Sequence, residues 1–220
     1  MSTVNKRPVS ILPLTAPDLP AFAQNLRQSK YELTINRLLY NNWPNASAQL
    51  AQCTKAVQGS ANDADSSTWK VVDDETKEMV GHFALTWKAP SKIEDVKQDG
   101  KDEFYPPVPD GMNEDVFRAV IKAVRDIQTL GDVERFVVTH IWLKPSHRRS
   151  GIGSQLMRLA MDKAGEARLP LSVSSEPVAH GFFLSLGFKD TKYADIDLTK
   201  WAEENSGFGV FRLTGMVLDK

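Results

Sequence analysis

Arg135-Phe136-Val137-Val138-Thr139-His140-Ile141-Trp142-Leu143-Lys144-Pro145-Ser146-His147-Arg148-Arg149-Ser150-Gly151-Ile152-Gly153-Ser154-Gln155-Leu156 is the stretch whose reading decides the architecture. Phe136 to Leu143 is rich in β-branched and aromatic side chains and is stopped by Pro145, the pattern of a buried strand. Downstream, Leu156, Leu159, Ala160 and Ala164 recur at helical spacing, while Ser154, Gln155, Arg158 and Lys163 are free to face water. A strand therefore feeds a helix through a basic turn containing Gly151 and Gly153. The first amide hydrogens of a helix lack intrahelical partners and sit at its positive dipole end, so such a turn suits an anion, phosphate above all. Glycines allow a pyrophosphate to approach the backbone, and Arg148 and Arg149 add charge and fork geometry. Two phosphate motifs are excluded: Leu156 stands where the dinucleotide fingerprint needs its third Gly or Ala, and the Gly-Lys-Ser/Thr of a P-loop is absent. An ordinary tight loop with solvated arginines is the other reading of Gly-x-Gly alone.

Two motifs together are more specific. Arg148-x-x-Gly151-x-Gly153, following Leu143-Lys144-Pro145, resembles the pyrophosphate signature of the GNAT family of acyl-CoA N-acyltransferases. Further on, Leu171-Ser172-Val173-Ser174 reads as a strand and leads through a helix into Phe182-Phe183-x-x-x-Gly187-Phe188, similar to that family's Phe-Tyr-x-x-x-Gly-Phe. Upstream, Trp43-Pro44, Trp69-Lys70-Val71-Val72-Asp73 and Gly81-His82-Phe83-Ala84 resemble fungal members, which extends the likeness over most of the chain. The resemblance implies an α/β (α+β) fold: a mixed, mostly antiparallel sheet flanked by helices on both faces. It implies acetyl-CoA as cosubstrate and no metal. Its pantetheine arm would run beside the first strand, against backbone at Ile141, Trp142 and Leu143, and its pyrophosphate would lie on Arg148, Arg149, Ser150, Gly151, Ile152, Gly153 and Ser154, with Phe183 beside the thiol end.

Length and composition set the frame. The chain has 220 residues, close to the span of a single domain, and residues 1–220 are read as one. Its 27 Lys and Arg against 28 Asp and Glu give no global electrostatic case for nucleic acid or an anionic membrane as partner. A lone cysteine, Cys53, excludes an intrachain disulfide and fits a reducing compartment. Met1 to Pro8 lacks the apolar run of a signal peptide and no span is long and apolar enough for a membrane helix, so a cytoplasmic location is expected.

In chain order, Arg7 to Leu14 reads as a strand, Thr15 caps a helix to about Gln28, and helices are expected over Tyr31 to Tyr40 and Ala46 to Val57. Thr68 to Asp73 and Met79 to Trp87 form a hairpin around Asp74-Glu75-Thr76-Lys77. Ala89 to Gly111 is polar and proline-bearing, either a lid or a disordered insertion. Asn113 or Asp115 starts a helix to about Leu130, ended by Gly131, with Val116, Val120, Val124 and Ile127 as its apolar stripe. Pro177 fits the first turn of the helix carrying Phe182 and Phe183, and Tyr193 to Leu198 and Gly207 to Leu218 read as closing strands.

In the GNAT fold the helices after the first strand wall the acceptor pocket, which implicates Glu32, Tyr40, Trp43 and Trp87, although core packing explains the aromatics equally well. The expected acceptor is the primary amine of a small molecule. The general acid departs from the family: Phe183 stands where many members carry tyrosine, and a phenyl ring donates no proton. Alternation places Val137 and Thr139, neither of them a base, on the pantetheine side of the strand and His140 on the other. His82, His140, Glu176 and Tyr193 remain as substitutes for the missing acid or base. A non-catalytic CoA-binding module and a protein or peptide N-acetyltransferase are the competing readings.

Overall fold

The computed structural model describes residues 8–90, 105–128 and 130–219. The bulk of the expected lid, residues 91–104, lies outside them. Seven strands form one sheet in the order β1-β2-β3-β4-β5-β7-β6: β1 Val9–Pro13, β2 Ser66–Asp73, β3 Met79–Lys88, β4 Arg135–Leu143, β5 Leu171–Ser175, β6 Lys189–Asp197 and β7 Val210–Leu218. Every pairing is antiparallel except β4 with β5. This is the mostly antiparallel, helix-flanked sheet that the resemblance implies.

Helix α1 (Leu19–Tyr31), α2 (Asn36–Leu39), α3 (Ala46–Asn62) and α4 (Glu114–Asp126) cover one face; α5 (Ile152–Ala167) and α6 (Pro177–Ser185) cover the other. Three apolar clusters follow from this layering. Under α5, Ile152, Leu156, Met157 and Ala160 pack on Phe83, Leu85, Val138 and Val173. Between α1 and α3, Phe22, Ala23 and Leu26 meet Cys53 and Val57. Beneath α4, Val116, Ala123 and Ile127 pack on Ile196, Leu198, Phe211 and Leu213, and the α2 segment adds Leu33, Ile35, Leu39 and Tyr40.

Several expected boundaries move, each for a local reason. Thr15 caps a short 3-10 turn, Ala16–Asp18, by exchanging bonds with Asp18, and the helix proper starts only at Leu19. The helix expected over Tyr31 to Tyr40 shrinks to the single turn Asn36–Leu39, because the Leu33 amide donates to the Lys30 carbonyl and Asn36 Nδ2 caps the same carbonyl. Helix α3 runs past Val57 to Asn62. Helix α4 starts on Asn113, whose side chain accepts from the amides of Asp115 and Val116, but it stops at Asp126, well short of Leu130. Ile127 is buried there, and its carbonyl lies so close to Gly215 that no Cβ fits at that position. Strand β6 begins at Lys189, not Tyr193: polar Lys189 to Lys192 give no strand signal and are recruited by pairing with β7.

Candidate functional site

Parallel pairing of β4 with β5 stops after Phe136↔Leu171, Val137↔Ser172 and Val138↔Val173, whereas β3 stays paired to β4 as far as Gly81↔Leu143. Among the described residues, β4 therefore has a neighbouring strand on one edge only from Thr139 to Leu143, and the sheet forks. The Lys144 amide donates to the Val80 carbonyl, toward β3. By the alternation of an antiparallel ladder, the backbone groups of Leu143 and Ile141 face the open edge. The Leu143 carbonyl accordingly accepts from Arg148 Nε at 2.9 Å.

Strict alternation fails at the fork. The register shifts between Ala84 and Leu85, so that Val138 pairs Leu85, His140 pairs Ala84, and Thr139 is the extra residue of a β-bulge. Thr139 Oγ1 lies 3.2 Å from both the Ala84 carbonyl and Thr86 Oγ1. The expected separation of Val137 and Thr139 from His140 is thereby corrected: His140 shares the face of Val137 and points at α1, where its ring meets Phe22 edge-on at 6.0 Å.

The turn into α5 is built from backbone conformations. Arg149 (φ 57) and Gly151 (φ 86) are left-handed, and Gly151 is the N-cap of α5 with no side-chain cap bond, which leaves the first-turn amides open to a guest. At Gly153 an added Cβ would lie 3.2 Å from Phe182 Cζ, so the helix start and α6 approach closely and a side chain there would have to push the Phe182 ring aside by a few tenths of an ångström. A buried pair that sequence reasoning missed pins this turn. His147 Nε2 lies 2.9 Å from Asp73 Oδ2, both side chains being almost wholly buried. Asp73 also accepts from the amides of Thr76 and Glu75, and Ser150 Oγ donates to the His147 carbonyl at 2.6 Å. The Thr76 amide first, and then His147, hold the Asp73 carboxyl well below the usual carboxylate range. Its sequence trace is slight: an aspartate ending a strand and a histidine before the basic pair.

The opposite face of the fork is polar. His82 stacks near Trp142 at 6.0 Å and faces His140 at 6.3 Å and Phe22 at 4.4 Å. Burial, assisted by Lys30, pushes the His140 imidazole down to about 4. His82 is driven well below its ordinary value by burial, then by His140 and Lys30, so both rings are neutral at physiological pH. His82 Nδ1 and Trp142 Nε1 are buried without a partner among the described residues. Tyr40 is buried and its hydroxyl is pushed up to about 12 by burial and by Cys53, whose own thiol burial raises.

Two ion pairs cross the mouth of the fork. Glu32 holds Arg148 bidentately, at 2.6 and 2.9 Å, and Lys30 Nζ lies 2.9 Å from Glu176 Oε1. The structure thus brings His82, His140, Trp142, Glu176, Glu32 and the Arg148–Ser154 turn to one region. Trp43 stays beside it, edge-on to Tyr31 at 5.3 Å. Trp87 is elsewhere: it pairs with Phe136 at the closed end of the fork and donates to Glu134, because β3 runs antiparallel to β4. Tyr193 is on the outermost strand β6, 65% exposed and under the Arg212 guanidinium. Phe183 is buried in the α5-side core against Phe182 and Phe188. Among the described residues no group of three or more His, Cys, Asp or Glu side chains is arranged to hold a metal ion, and no helix is long and apolar enough to cross a membrane.

Residues 114–190, from α4 to the start of β6, match the family model for the acetyltransferase (GNAT) domain. Solved structures with the same fold include arylalkylamine N-acetyltransferase 2 from Aedes aegypti, 13% identical, with a TM-score of 0.62 and 96% of this chain and 98% of that one covered. Arabidopsis thaliana NAA60 in complex with a bisubstrate analogue is 13% identical with a TM-score of 0.55, covering 96% of this chain and 97% of that one. Histone acetyltransferase HPA2 and related acetyltransferase from Corynebacterium glutamicum is 15% identical with a TM-score of 0.55, covering 94% of each chain. No curated protein matches the sequence.

Proposed function

We propose that this chain is a GNAT-family N-acetyltransferase that moves the acetyl group of acetyl-CoA to the primary amine of a small molecule, by direct attack within a ternary complex. The observation that carries the reading is the fork of β4 and β5, whose edge at Ile141 and Leu143 pairs with no strand among the described residues, the Leu143 carbonyl meeting only Arg148 Nε, and runs directly into an uncapped, glycine-bearing helix start. A pantetheine arm hydrogen-bonds along such an edge as a further strand does, and the diphosphate lies on amides from Arg149 to Ser154. Binding both reactants in line supplies about 7 kcal/mol or more toward the barrier without any special side chain. Arabidopsis NAA60 has also been solved in complex with acetyl-CoA.

His140 is the residue we assign to the amine. It projects from the bulge toward α1, it is held neutral, and the nitrogen becomes acidic enough to release a proton once it has bonded to the thioester carbon. Backbone amides of the open β4 edge polarise the carbonyl, and the thiolate leaves as the C–S bond breaks. A thiol of pKa about 8.5 departs without obligatory protonation, which accommodates Phe183. The buried lone Cys53 accords with a reducing compartment such as the cytosol.

The second reading, a CoA-binding module without catalysis, is favoured by Phe183, which offers no hydroxyl where an acid is expected. Calorimetric titration with acetyl-CoA followed by a thiol-release assay over an amine panel separates the two. The expected result is binding with turnover. Binding without turnover supports the module, and absence of binding overturns both.

A further inference from the structure

Lys30 and Tyr31 close the last turn of α1 and Glu32 is its C-cap, and each charged residue of this helix end grips the chain just beyond one arm of the fork. Glu32 holds Arg148, which follows β4, and Lys30 holds Glu176, which follows β5. These contacts link residues separated by 116 and 146 positions, so they are features of the fold rather than of local sequence. The segment is also anchored behind: Asn36 Nδ2 caps the Lys30 carbonyl, and Leu33 and Ile35 are buried under α4. It is a strap at the fork formed by the end of α1, held behind by the packed helix and by Asn36 and clasped at its front by two partly exposed ion pairs.

Arg148 is the critical clasp. Its Nε donates to the Leu143 carbonyl and its two terminal nitrogens donate to the two carboxylate oxygens of Glu32. That is the planar, two-point engagement an arginine gives to a phosphate. The Glu32 and Arg148 side chains are 32% and 39% exposed, so an incoming anion can reach them. A carboxylate and a diphosphate cannot share the same guanidinium edge, and two anions at that distance repel.

Resting on the cofactor reading above, we propose that Glu32 is a displaceable occupant of the diphosphate position: acetyl-CoA takes Arg148 from Glu32 and thereby releases the strap from the α1 side of the fork. Cofactor binding then opens the acceptor wall, and the free enzyme keeps it clasped. Glu32 acts through Arg148 and is a positioning residue, not a catalytic one.

Acetyl-CoA affinity measured by calorimetry in the wild type, Glu32→Gln, Arg148→Ala and the double variant tests this. Removal of a competitor should tighten binding in Glu32→Gln by about threefold to fivefold, the scale of a partly exposed ion pair. With Arg148→Ala already present, the same change should alter affinity less than about 1.5-fold, since the competition has no object. Equal tightening in both backgrounds means that Glu32 only repels the cofactor through space, and it overturns the latch. Hydrogen exchange of peptides spanning residues 26–40 gives a second readout. Glu32→Gln without ligand, and the wild type with acetyl-CoA, should both exchange faster there than the free wild type. Protection of these amides by acetyl-CoA overturns the proposal. A wild type that binds no acetyl-CoA overturns the cofactor reading and the latch with it, whereas a wild type that binds while Glu32→Gln binds no tighter overturns the latch alone.

Discussion

The two faces of β4 are made of different materials. Toward α5 the strand presents Phe136, Val138, Ile141 and Leu143 to an apolar core, and the chemistry there belongs to backbone: an open strand edge, two left-handed residues and an uncapped helix start. Toward α1 it presents His140 and Trp142 to His82 and Phe22, and polar atoms of His82 and Trp142 lie buried without partners. The first face suits a ligand whose shape is constant, because backbone geometry is insensitive to most substitutions. The second is side-chain chemistry, which changes with single residues, and it is the face to which the proposed acceptor is assigned.

The sharpest way to break this comparison is to attack the backbone face. Gly151→Glu places a β-carbon at φ 86, which L residues rarely adopt, and a carboxylate where the diphosphate is expected. Apart from the chain neighbours, no heavy atom of the described residues lies within 4 Å of that Cβ, so the cost to the fold is local backbone strain rather than a clash. Acetyl-CoA affinity should fall about a hundredfold or more, equivalent to about 2.7 kcal/mol or more. Calorimetry on a variant with an unchanged circular dichroism spectrum checks this, and retained affinity removes the diphosphate assignment.

The side-chain face should respond differently. His140→Gln keeps a polar group at the bulge without a basic ring nitrogen, and turnover should fall by about a hundredfold while acetyl-CoA affinity stays level. A fall in affinity with intact turnover would place His140 on the cofactor side and erase the division. Arg148→Ala should weaken acetyl-CoA about tenfold, the worth of a charge-assisted hydrogen bond, and a loss below twofold would return it to solvated surface.

Acid titration sharpens the same division. His82 and His140 have folded pKa values below their ordinary 6.5, His140 at about 4, so the folded state favours their neutral forms. Below about pH 6.5 the unfolded chain binds protons that the folded chain refuses. The stability contributed by the neutral rings is full above that pH and is lost as pH falls toward 4, with about one proton taken up per histidine on unfolding. Urea unfolding at pH 7.5, 6 and 5 should show the decline, and His140→Gln should remove about one proton from its slope. Asp73, whose pKa is also depressed, adds a further loss only below its ordinary 3.8.

The same contrast explains what the sequence discloses. Strand β4, the Gly151 turn and the Pro177 helix were legible because each rests on local rules: β-branched runs, glycine conformations and proline at a first turn. The facing of His140 was not, since one extra residue at Thr139 reverses alternation and nothing in Val-Thr-His announces a bulge. Nor were Asp73–His147 or Glu32–Arg148, which join positions 74 and 116 residues apart through the fold. Tyr193 and Trp87 suited the site by residue type, but sheet order removes Tyr193 from the fork and the β3–β4 register removes Trp87.

The smallest expected effect is at Phe183, which stands where the resembled motif carries tyrosine and so raised the question of catalysis. In the structure its ring is 1% exposed and packs against Phe182 and Phe188. Phe183→Tyr therefore adds a hydroxyl to an apolar setting, where a missing partner costs about 1 to 3 kcal/mol. If the thiolate leaves unprotonated or takes its proton from water, turnover should change less than about tenfold, below the hundredfold at the lower end of general acid catalysis. The melting temperature should drop by several degrees, because about 1 kcal/mol corresponds to roughly 2 to 4 °C at this chain length. Initial rates with saturating acetyl-CoA and a thermal melt on the same preparation check both halves. A wild type that binds acetyl-CoA yet acetylates no amine, beside a tyrosine variant that does, would show that the hydroxyl is the missing catalytic group and would move the native protein to the binding-module reading.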